Sequence, residues 1–265
     1  MKFSYMLAPM EDITNNSFRE LCSNHSADLT FTEMARVSAL VKQNKSTMEK
    51  IKILNNVPTQ IQLIPQKELE LKTFLEKFVA PKNFSGFNIN IGCPSSQLIN
   101  LGLGCSMIKR STKVSKFVEI VKEANFPCSI KMRLGLNRFE KQKKVYLNLI
   151  NNVDADFFIV HARHGAESYD SKADYSVYDE CVATEKTIIA NGDVDSKEKV
   201  EKLKSIGVKG VMIGRAVVKN PAIFERLKGM KETSLDKLKK EYLDLSEKYH
   251  EQEKYKKNFF EIIDK

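Results

Sequence analysis

A cysteine lies in an unusual setting in the stretch NINIGCPS, residues 88–95. Gly92 permits a sharp exit from the apolar run that precedes it, and Pro94 stiffens the step that follows. Cys93 is therefore predicted to lie on a constrained loop. An unperturbed thiol, with a pKa of about 8.5, is mostly protonated at neutral pH. It could donate a proton, or act as a nucleophile if a neighbouring group lowered its pKa.

Basic side chains close two other apolar runs. Lys131 and Arg133 stand two residues apart in PCSIKMR, so alternation along a strand puts them on one face. A lysine on an interior face is costly to bury unless it meets an anion or an electron-rich ring. His161 and Arg163 end the run FFIVHAR in the same way. These positions favour a role in a site over a role in packing.

Two glycine-containing stretches form a candidate phosphate site. Asn191-Gly192-Asp193 and Gly214-Arg215 each follow a short apolar run. Glycine lets backbone N–H groups approach phosphate oxygens, and a helix that follows favours an anion at its N-terminus. The sequence contains neither G-x-G-x-x-G nor a P-loop motif, which argues against a Rossmann-bound dinucleotide or a P-loop nucleotide. Flavin mononucleotide (FMN) or a sugar phosphate would suit such a site.

Eight short β-type runs carry these residues at or near their ends. They are rich in Ile, Val, Phe or Leu and span residues 5–9, 29–33, 59–64, 86–92, 127–133, 156–162, 186–192 and 209–214. Helical periodicity occurs between them, as over residues 67–78, 111–124 and 196–207. Eight strands alternating with helices predict an α/β fold, a (β/α)8 TIM barrel, whose active site is assembled at the carboxyl ends of the strands. An open doubly wound sheet is the alternative architecture.

The length of 265 residues suits one large domain with a small appendage. The composition shifts after Gly229, and apolar residues then recur at three- and four-residue steps, with a break near Glu251. We therefore predict a catalytic barrel domain over residues 1–230 and a short helical extension over residues 231–265.

The composition also bears on partners and location. A formal net charge of +9 suits a polyanionic partner, with RNA or DNA the leading candidates. Five scattered cysteines without a C-x-x-C pair indicate reduced thiols rather than disulfides or a zinc site. No apolar run is long enough for a signal peptide or a membrane span. The sequence predicts a cytoplasmic, monomeric protein with no membrane partner and no metal.

The motifs, taken in order, resemble those of the tRNA-dihydrouridine synthase family. The matching stretches cover residues 4 to about 225 and read LAPMEDITNNSFREL, LTFTEM, IQL, FNINIGCPS with GLGCSMIKR, SIKMRLG, FFIVHARHGAESYDSKADY, IIANGDVDS and GVMIGRAVVKNPAIF. The resemblance implies an FMN-binding TIM barrel followed by a helical domain that helps to hold tRNA. The extension of this chain is shorter than the family's helical domain, and Tyr175 stands where the family usually has Trp.

The resemblance further implies a reaction and a set of roles. NADPH, or NADH, reduces FMN, hydride passes to carbon 6 of a tRNA uridine, and Cys93 gives a proton to carbon 5. Lys131 and His161 are implied to assist catalysis. The implied FMN contacts are Pro9, Met10, Gln62, Lys131, His161, Asn191, Gly192, Asp193, Gly214 and Arg215. The implied substrate contacts are Asn90, Arg133 and Arg163.

Three other functions stay open from the sequence. The first is another FMN barrel oxidoreductase that acts on a free pyrimidine, similar to dihydroorotate dehydrogenase. The second is a flavin-containing RNA-binding protein with little turnover. The third is a flavin-free barrel lyase that uses Lys131 as a Schiff base. The basic charge and the GCP loop favour RNA over a free pyrimidine, and the set of Cys93, Lys131 and His161 argues against a binding protein with little turnover. Flavin absorbance would exclude the lyase.

Overall fold

The computed structural model describes residues 2–264, and its strands form a single parallel sheet. The strand order is β1-β9-β8-β7-β6-β5-β4-β2, with β3 also paired to β4. The strands are β1 (Ser4–Leu7), β2 (Thr30–Phe31), β3 (Ala35–Arg36), β4 (Thr59–Ile64), β5 (Phe84–Ile91), β6 (Cys128–Met132), β7 (Phe158–His161), β8 (Ile188–Asn191) and β9 (Gly210–Ile213).

The sheet curls into a nearly closed barrel, which confirms the predicted TIM-barrel class. Strands β2 and β3 both pair with β4 and share one position of the barrel, and a parallel bridge from Met6 to Leu29 joins β1 to β2. The second predicted strand, residues 29–33, is therefore reduced to β2, and β3 follows as a separate short segment beyond it. Between them, the Thr32 hydroxyl accepts the main-chain N–H of Gln62 at 3.1 Å. A side chain thus replaces a main-chain carbonyl in the ladder, and regular pairing is interrupted there.

Helices follow the strands around the outside. The three helices expected from periodicity are confirmed to within two residues, and α10 illustrates why: Ser196 caps it and Gly207 ends it with a φ of 105°. The helix expected after Arg215 is instead divided, because Pro221 has no N–H for a continuous helix. The helices are α1 (Asn16–Asn24), α2 (Val37–Val41), α3 (Lys45–Lys50), α4 (Glu68–Lys77), α5 (Ser96–Asn100), α6 (Ser111–Glu123), α7 (Arg138–Gln142), α8 (Val145–Asn152), α9 (Val177–Val182), α10 (Lys197–Ile206), α11 (Arg215–Lys219), α12 (Ile223–Leu227), α13 (Leu235–Lys248) and α14 (Glu253–Ile263). Within residues 2–264, no helix has the length and apolarity needed to cross a membrane.

The barrel interior has two chemically different halves. One half is a small apolar cluster, separate from the core between strands and helices, formed by Met6, Ala8, Phe31, Phe157, Ile159, Ile189 and Met212. The other half comes from alternate residues of β4, β5 and β6 and is polar: Gln60, Gln62, Asn88, Asn90, Ser129 and Lys131. Barrel interiors are usually filled by bulky branched side chains. Buried amides are costly unless they are hydrogen-bonded, so this half needs an explanation.

The two C-terminal helices pack on the α1 side of the barrel. The break expected near Glu251 is confirmed, because α13 ends at Lys248 and α14 begins at Glu253. The buried His25 ring lies 2.8 Å from a carboxylate oxygen of Glu225 and 2.9 Å from one of Glu241, so it ties α1 to α12 and α13.

Helix α14 also reaches the mouth of the barrel. Tyr255 donates to the buried Glu33 at 2.6 Å, and Lys254 pairs with Asp12 at 2.6 Å in the loop that follows β1. The extension therefore contacts loops at the end of the barrel where the strands terminate. The division at residue 230 and a role of the extension in binding tRNA stay predictions.

Candidate active site

A cleft of about 1080 Å³ opens at the carboxyl ends of the strands. It brings together residues that are far apart in the sequence and that lie at the ends of β1, β6, β7, β8 and β9. The predicted site residues that line it are Pro9, Met10, Lys131, His161, Arg163, Asn191, Gly192, Asp193, Gly214 and Arg215. Gln62, Asn90, Cys93 and Arg133 do not line it. The structure thus places most of the predicted cofactor residues on one cavity and the cysteine loop beside it.

Lys131 is a cation in a confined setting. Burial, together with the neighbouring positive charge of Arg133, lowers the pKa of Lys131 to about 8. No carboxylate of residues 2–264 offsets this effect. A lysine without a carboxylate partner is suited to an anionic or electron-rich ligand.

His161 is held neutral and in a defined orientation. Burial lowers the pKa of His161 to about 2, and the positive charges of Lys131, Arg133 and Arg163 add to the effect. Arg163 Nη1 lies 3.1 Å from His161 Nε2. Because a guanidinium can only donate, Nε2 is the acceptor and the ring proton is on Nδ1. His161 can therefore offer one N–H to a ligand, but it is not a general acid at neutral pH.

Arg163 and Asp193 organise the cleft wall. Arg163 is fully buried and donates to Asp193 Oδ2 at 2.6 Å and to the Ser171 carbonyl at 2.8 Å. Arg215 binds the other carboxylate oxygen, Oδ1, at 2.6 Å. Burial raises the pKa of Asp193, but the hydrogen bonds from Ala173 N–H and Arg163 outweigh it, so the net shift is downward and the carboxylate stays charged. Arg163 thus holds other site residues in place, and its predicted contact with substrate stays a prediction.

Two tyrosines of the cleft were not among the predicted site residues. Tyr169 lies 6.2 Å from the His161 ring in a nearly parallel orientation, and the Arg215 guanidinium lies 4.3 Å from its centroid. Tyr175 donates to the Gly192 carbonyl at 2.7 Å. The sequence did draw attention to Tyr175, because this residue stands where the family usually has Trp. Tyr169 carries no such signal, because only the folded loop brings it over His161.

Gly192 is required by its surroundings. Its φ is +115°, and a Cβ there would lie 3.0 Å from both His161 Cδ2 and Ala173 Cβ. A side chain would therefore push against the histidine that faces the cleft. The same cavity is also lined by four further lysines and by four aspartates: Lys172, Lys199, Lys202 and Lys219, and Asp170, Asp174, Asp193 and Asp195.

The loop that carries Cys93 is fixed from both sides. Asn90 Oδ1 accepts the N–H groups of Gly92 at 3.1 Å and of Cys93 at 3.0 Å. On the other side, the Cys105 N–H donates to the Cys93 carbonyl at 3.0 Å, and the Cys105 thiol lies 2.9 Å from the Gly92 carbonyl. Burial raises the pKa of Cys105 to about 12, so this thiol keeps its proton. Cys93 itself is half-buried, whereas the other four cysteines are buried.

Arg133 has a supporting position. Its Nη1 donates to the His164 carbonyl at 2.8 Å and to the Glu167 carbonyl at 3.3 Å, which holds the turn after β7.

The fold and the cleft together define a TIM-barrel protein with its ligand site at the carboxyl ends of the strands, the usual place for active sites in this class.

The chain belongs to the dihydrouridine synthase family, whose model, described as "Dihydrouridine synthase (Dus)", matches residues 6–263. It is 31% identical to a probable tRNA-dihydrouridine synthase of Helicobacter pylori over 236 residues, which cover 84% of this chain and 69% of that protein. It is 27% identical to tRNA-dihydrouridine synthase B of Pseudomonas putida, with 86% and 68% covered. Morphinone reductase in complex with tetrahydroNAD has the same fold, with a TM-score of 0.56 at 11% identity and 89% and 90% covered.

The cleft fits the flavin that the family implies, judged by its own residues. Lys131 has the positive charge that an electron-rich ring needs, and no carboxylate of residues 2–264 competes for it. A Cβ at Gly214 would make only ordinary contacts, 3.5 Å from Ala8 Cβ and 3.7 Å from Met10 Sδ. Glycine there is not demanded by the protein's own packing, and the backbone of this turn faces the cleft.

Proposed function

We propose that this chain reduces a uridine of tRNA to 5,6-dihydrouridine, with FMN as its bound cofactor and NADPH or NADH as the reductant. The family match and the names of the relatives support this reaction. The observation that carries it is the Cys93 loop, fixed on two sides beside a cleft that contains Lys131. A cytoplasmic location and a monomeric state belong to the same proposal.

Residues of the cleft would hold the cofactor by charge and hydrogen bonding. Lys131 would place a positive charge beside the ring, and His161 would donate from Nδ1. Gly192, Gly214 and Arg215 would bind the phosphate by donating hydrogen bonds to its oxygens, and the cleft lysines would add positive charge. When bound, FMN would supply the hydride for carbon 6 of the uracil. Gln62 is hydrogen-bonded to Asn88 and Asn90 and does not line the cleft, and its contact with FMN stays a prediction from the family resemblance.

Cys93 would act as the acid. Its thiol proton would pass to carbon 5, and the sulfur would be left as a thiolate. Lys131 would stabilise that thiolate, because the Cys93 charge is one of those that act on the lysine. A donor that must reach one carbon atom works best on a rigid loop, and the hydrogen bonds around Cys93 supply that rigidity.

The positive charge of the chain would bind the tRNA backbone. The formal net charge is +9. The target uridine must leave its stack to reach the cleft, which tRNA loops allow at modest cost. The extension, α13 and α14, would contribute to the tRNA contact from its place beside the barrel mouth. Affinity for tRNA is then expected to fall steeply as salt concentration rises.

A direct test compares substrates and cysteine variants. Purified protein is expected to show flavin absorbance and to form dihydrouridine in unmodified tRNA with NADPH, but to leave free uracil and orotate unchanged. Cys93→Ala should keep flavin and lose the product, whereas Cys181→Ala, at a buried cysteine of α9, should keep both.

Other results would contradict the proposal in distinct ways. Turnover of orotate in place of tRNA would indicate an oxidoreductase for free pyrimidines. Flavin and RNA binding without turnover would indicate a binding protein. Full activity of Cys93→Ala would exclude the thiol as the acid, and a colourless active protein would exclude flavin chemistry.

A further inference from the structure

Five of the six residues in the polar half of the barrel interior, all except Lys131, form a single series of hydrogen bonds. It begins at the Cys93 loop, where Asn90 Oδ1 accepts two main-chain N–H groups. Asn90 Nδ2 donates to Gln62 Oε1 at 2.8 Å, and Gln62 Nε2 donates to Asn88 Oδ1 at 2.7 Å. The series therefore passes between β5 and β4 and back again.

Farther from the Cys93 loop, the series crosses to β6 and returns to β4. Asn88 Nδ2 donates to Ser129 Oγ at 2.7 Å, and Ser129 Oγ donates to Gln60 Oε1 at 2.5 Å. Gln60 Nε2 then donates to the Ser85 carbonyl at 3.3 Å. Gln60, Asn88 and Ser129 are at most 2% exposed, so water does not offer these groups an alternative partner.

Every hydrogen bond in this series points the same way. At the Cys93 loop, the direction is set by the main-chain N–H groups of Gly92 and Cys93, which can only donate. At the other end it is set by the Ser85 carbonyl, which can only accept. Rotating any one amide would place two donors or two acceptors against each other. The series is therefore locked as a unit, and hydrogen bonds in series also polarise one another.

We propose that Gln60, Asn88 and Ser129 are positioning residues that hold the Cys93 loop in place through Gln62 and Asn90. The inference rests on the proposed function only for the reaction in which Cys93 takes part. The positioning of the Cys93 loop does not depend on that function. The opposite half of the same interior is packed with apolar side chains, so filling the space does not require amides. What the polar half adds is a fixed orientation for the amide that binds Gly92 and Cys93.

Ser129 offers the sharpest test, because its hydroxyl is one link of the series. Ser129→Ala removes that link, Ser129→Thr keeps a hydroxyl, and Thr30→Val is the matched control. Thr30 Oγ1 bonds Thr59 Oγ1 at 2.8 Å in the buried barrel wall, outside the series. Each variant is purified with its cofactor and assayed for flavin reduction by NADPH, for dihydrouridine formation, and for alkylation of Cys93 by iodoacetamide.

Ser129→Ala is expected to reduce the kcat for dihydrouridine formation roughly fivefold, the rate equivalent of about one hydrogen bond, with the KM for tRNA and the rate of flavin reduction unchanged. Alkylation of Cys93 should accelerate by a similar factor, because the loop is held less firmly. Ser129→Thr should restore both rates, and Thr30→Val should alter neither.

Three results would overturn the inference: an unchanged alkylation rate in Ser129→Ala, an equal change in Thr30→Val, or no recovery in Ser129→Thr. The alkylation assay needs no tRNA. If the wild-type protein formed no dihydrouridine, the proposed function would fail, while the positioning inference would still be decided by alkylation.

Discussion

Gly104 offers a sharp test of how closely Cys93 must be positioned. Its φ is +59°, and a Cβ there would lie 2.3 Å from the Cys93 carbonyl oxygen. Such contacts are essentially never shorter than 3.0 Å, so in Gly104→Ala the carbonyl must retreat by about 0.7 Å. A misplacement on the order of 1 Å at a reacting group can cost about a hundredfold in rate. We expect dihydrouridine formation to fall roughly tenfold to a hundredfold.

The matched control is Gly102→Ala, two residues earlier. Gly102 has a similar φ of +71°, so both variants carry the same backbone cost of about 1 to 2 kcal/mol. Its Cβ would meet the end of the Arg110 side chain at 3.2 Å, and a flexible side chain can move away. The assay is single-turnover reduction of tRNA uridine by pre-reduced protein, with flavin reduction by NADPH measured in parallel.

The two variants should separate clearly. Gly102→Ala should lose stability and little activity, whereas Gly104→Ala should lose stability and most uridine reduction, with flavin reduction unchanged in both. Equal activity in the two variants would refute the link between the Cys93 carbonyl position and proton transfer. Loss of flavin reduction in Gly104→Ala would show instead that the cofactor site had been disturbed.

Three further predictions concern other parts of the molecule. Burial lowers the pKa of Lys131 to about 8, so the positive charge of this lysine is present below that pH and is lost above it. Turnover should therefore fall about tenfold per pH unit above pH 8. The Lys131→Met variant, although slow, should lack this fall in its pH–rate profile. Gly192→Ala should weaken FMN retention roughly tenfold, because a Cβ at that positive φ presses on His161; a Kd measured by fluorescence would detect this. His25→Leu deprives Glu225 and Glu241 of their shared partner and should lower the free energy of unfolding in urea by about 2 kcal/mol, whereas an unchanged midpoint would refute a role of His25 in holding α13.

The fold class could be predicted because its signals are local. Each strand is a short β-rich run with a polar end, and each helix has its own periodicity, so counting them indicates a barrel. The interruption between β2 and β3 could not be predicted, because it depends on the Thr32 hydroxyl meeting the N–H of Gln62, thirty residues away. Helix α11 is short for a reason that was visible in the sequence, the proline at 221.

The site was predictable in outline but not in its internal contacts. Residues at the ends of five strands do line one cleft, as the barrel geometry requires. The resemblance implied that Gln62 and Asn90 contact ligands, which stays a prediction. What only the fold reveals is their hydrogen bond to each other and the hydrogen bonds that Asn90 accepts from the loop of Cys93. The role of Cys105 beside that loop had no signal of its own, since an isolated cysteine is most often a packing residue.

The sequence by itself determined the strands, the helices and the chemical types present at the strand ends, because alternation and periodicity are properties of neighbouring residues. Only the tertiary structure decided which of those groups face the cleft and which face each other. Ser129 and Gln60, for example, are 69 residues apart in the chain but 2.5 Å apart in the barrel. A donor and an acceptor at such a separation meet only when the sheet closes, because sheet register and curvature set their distance.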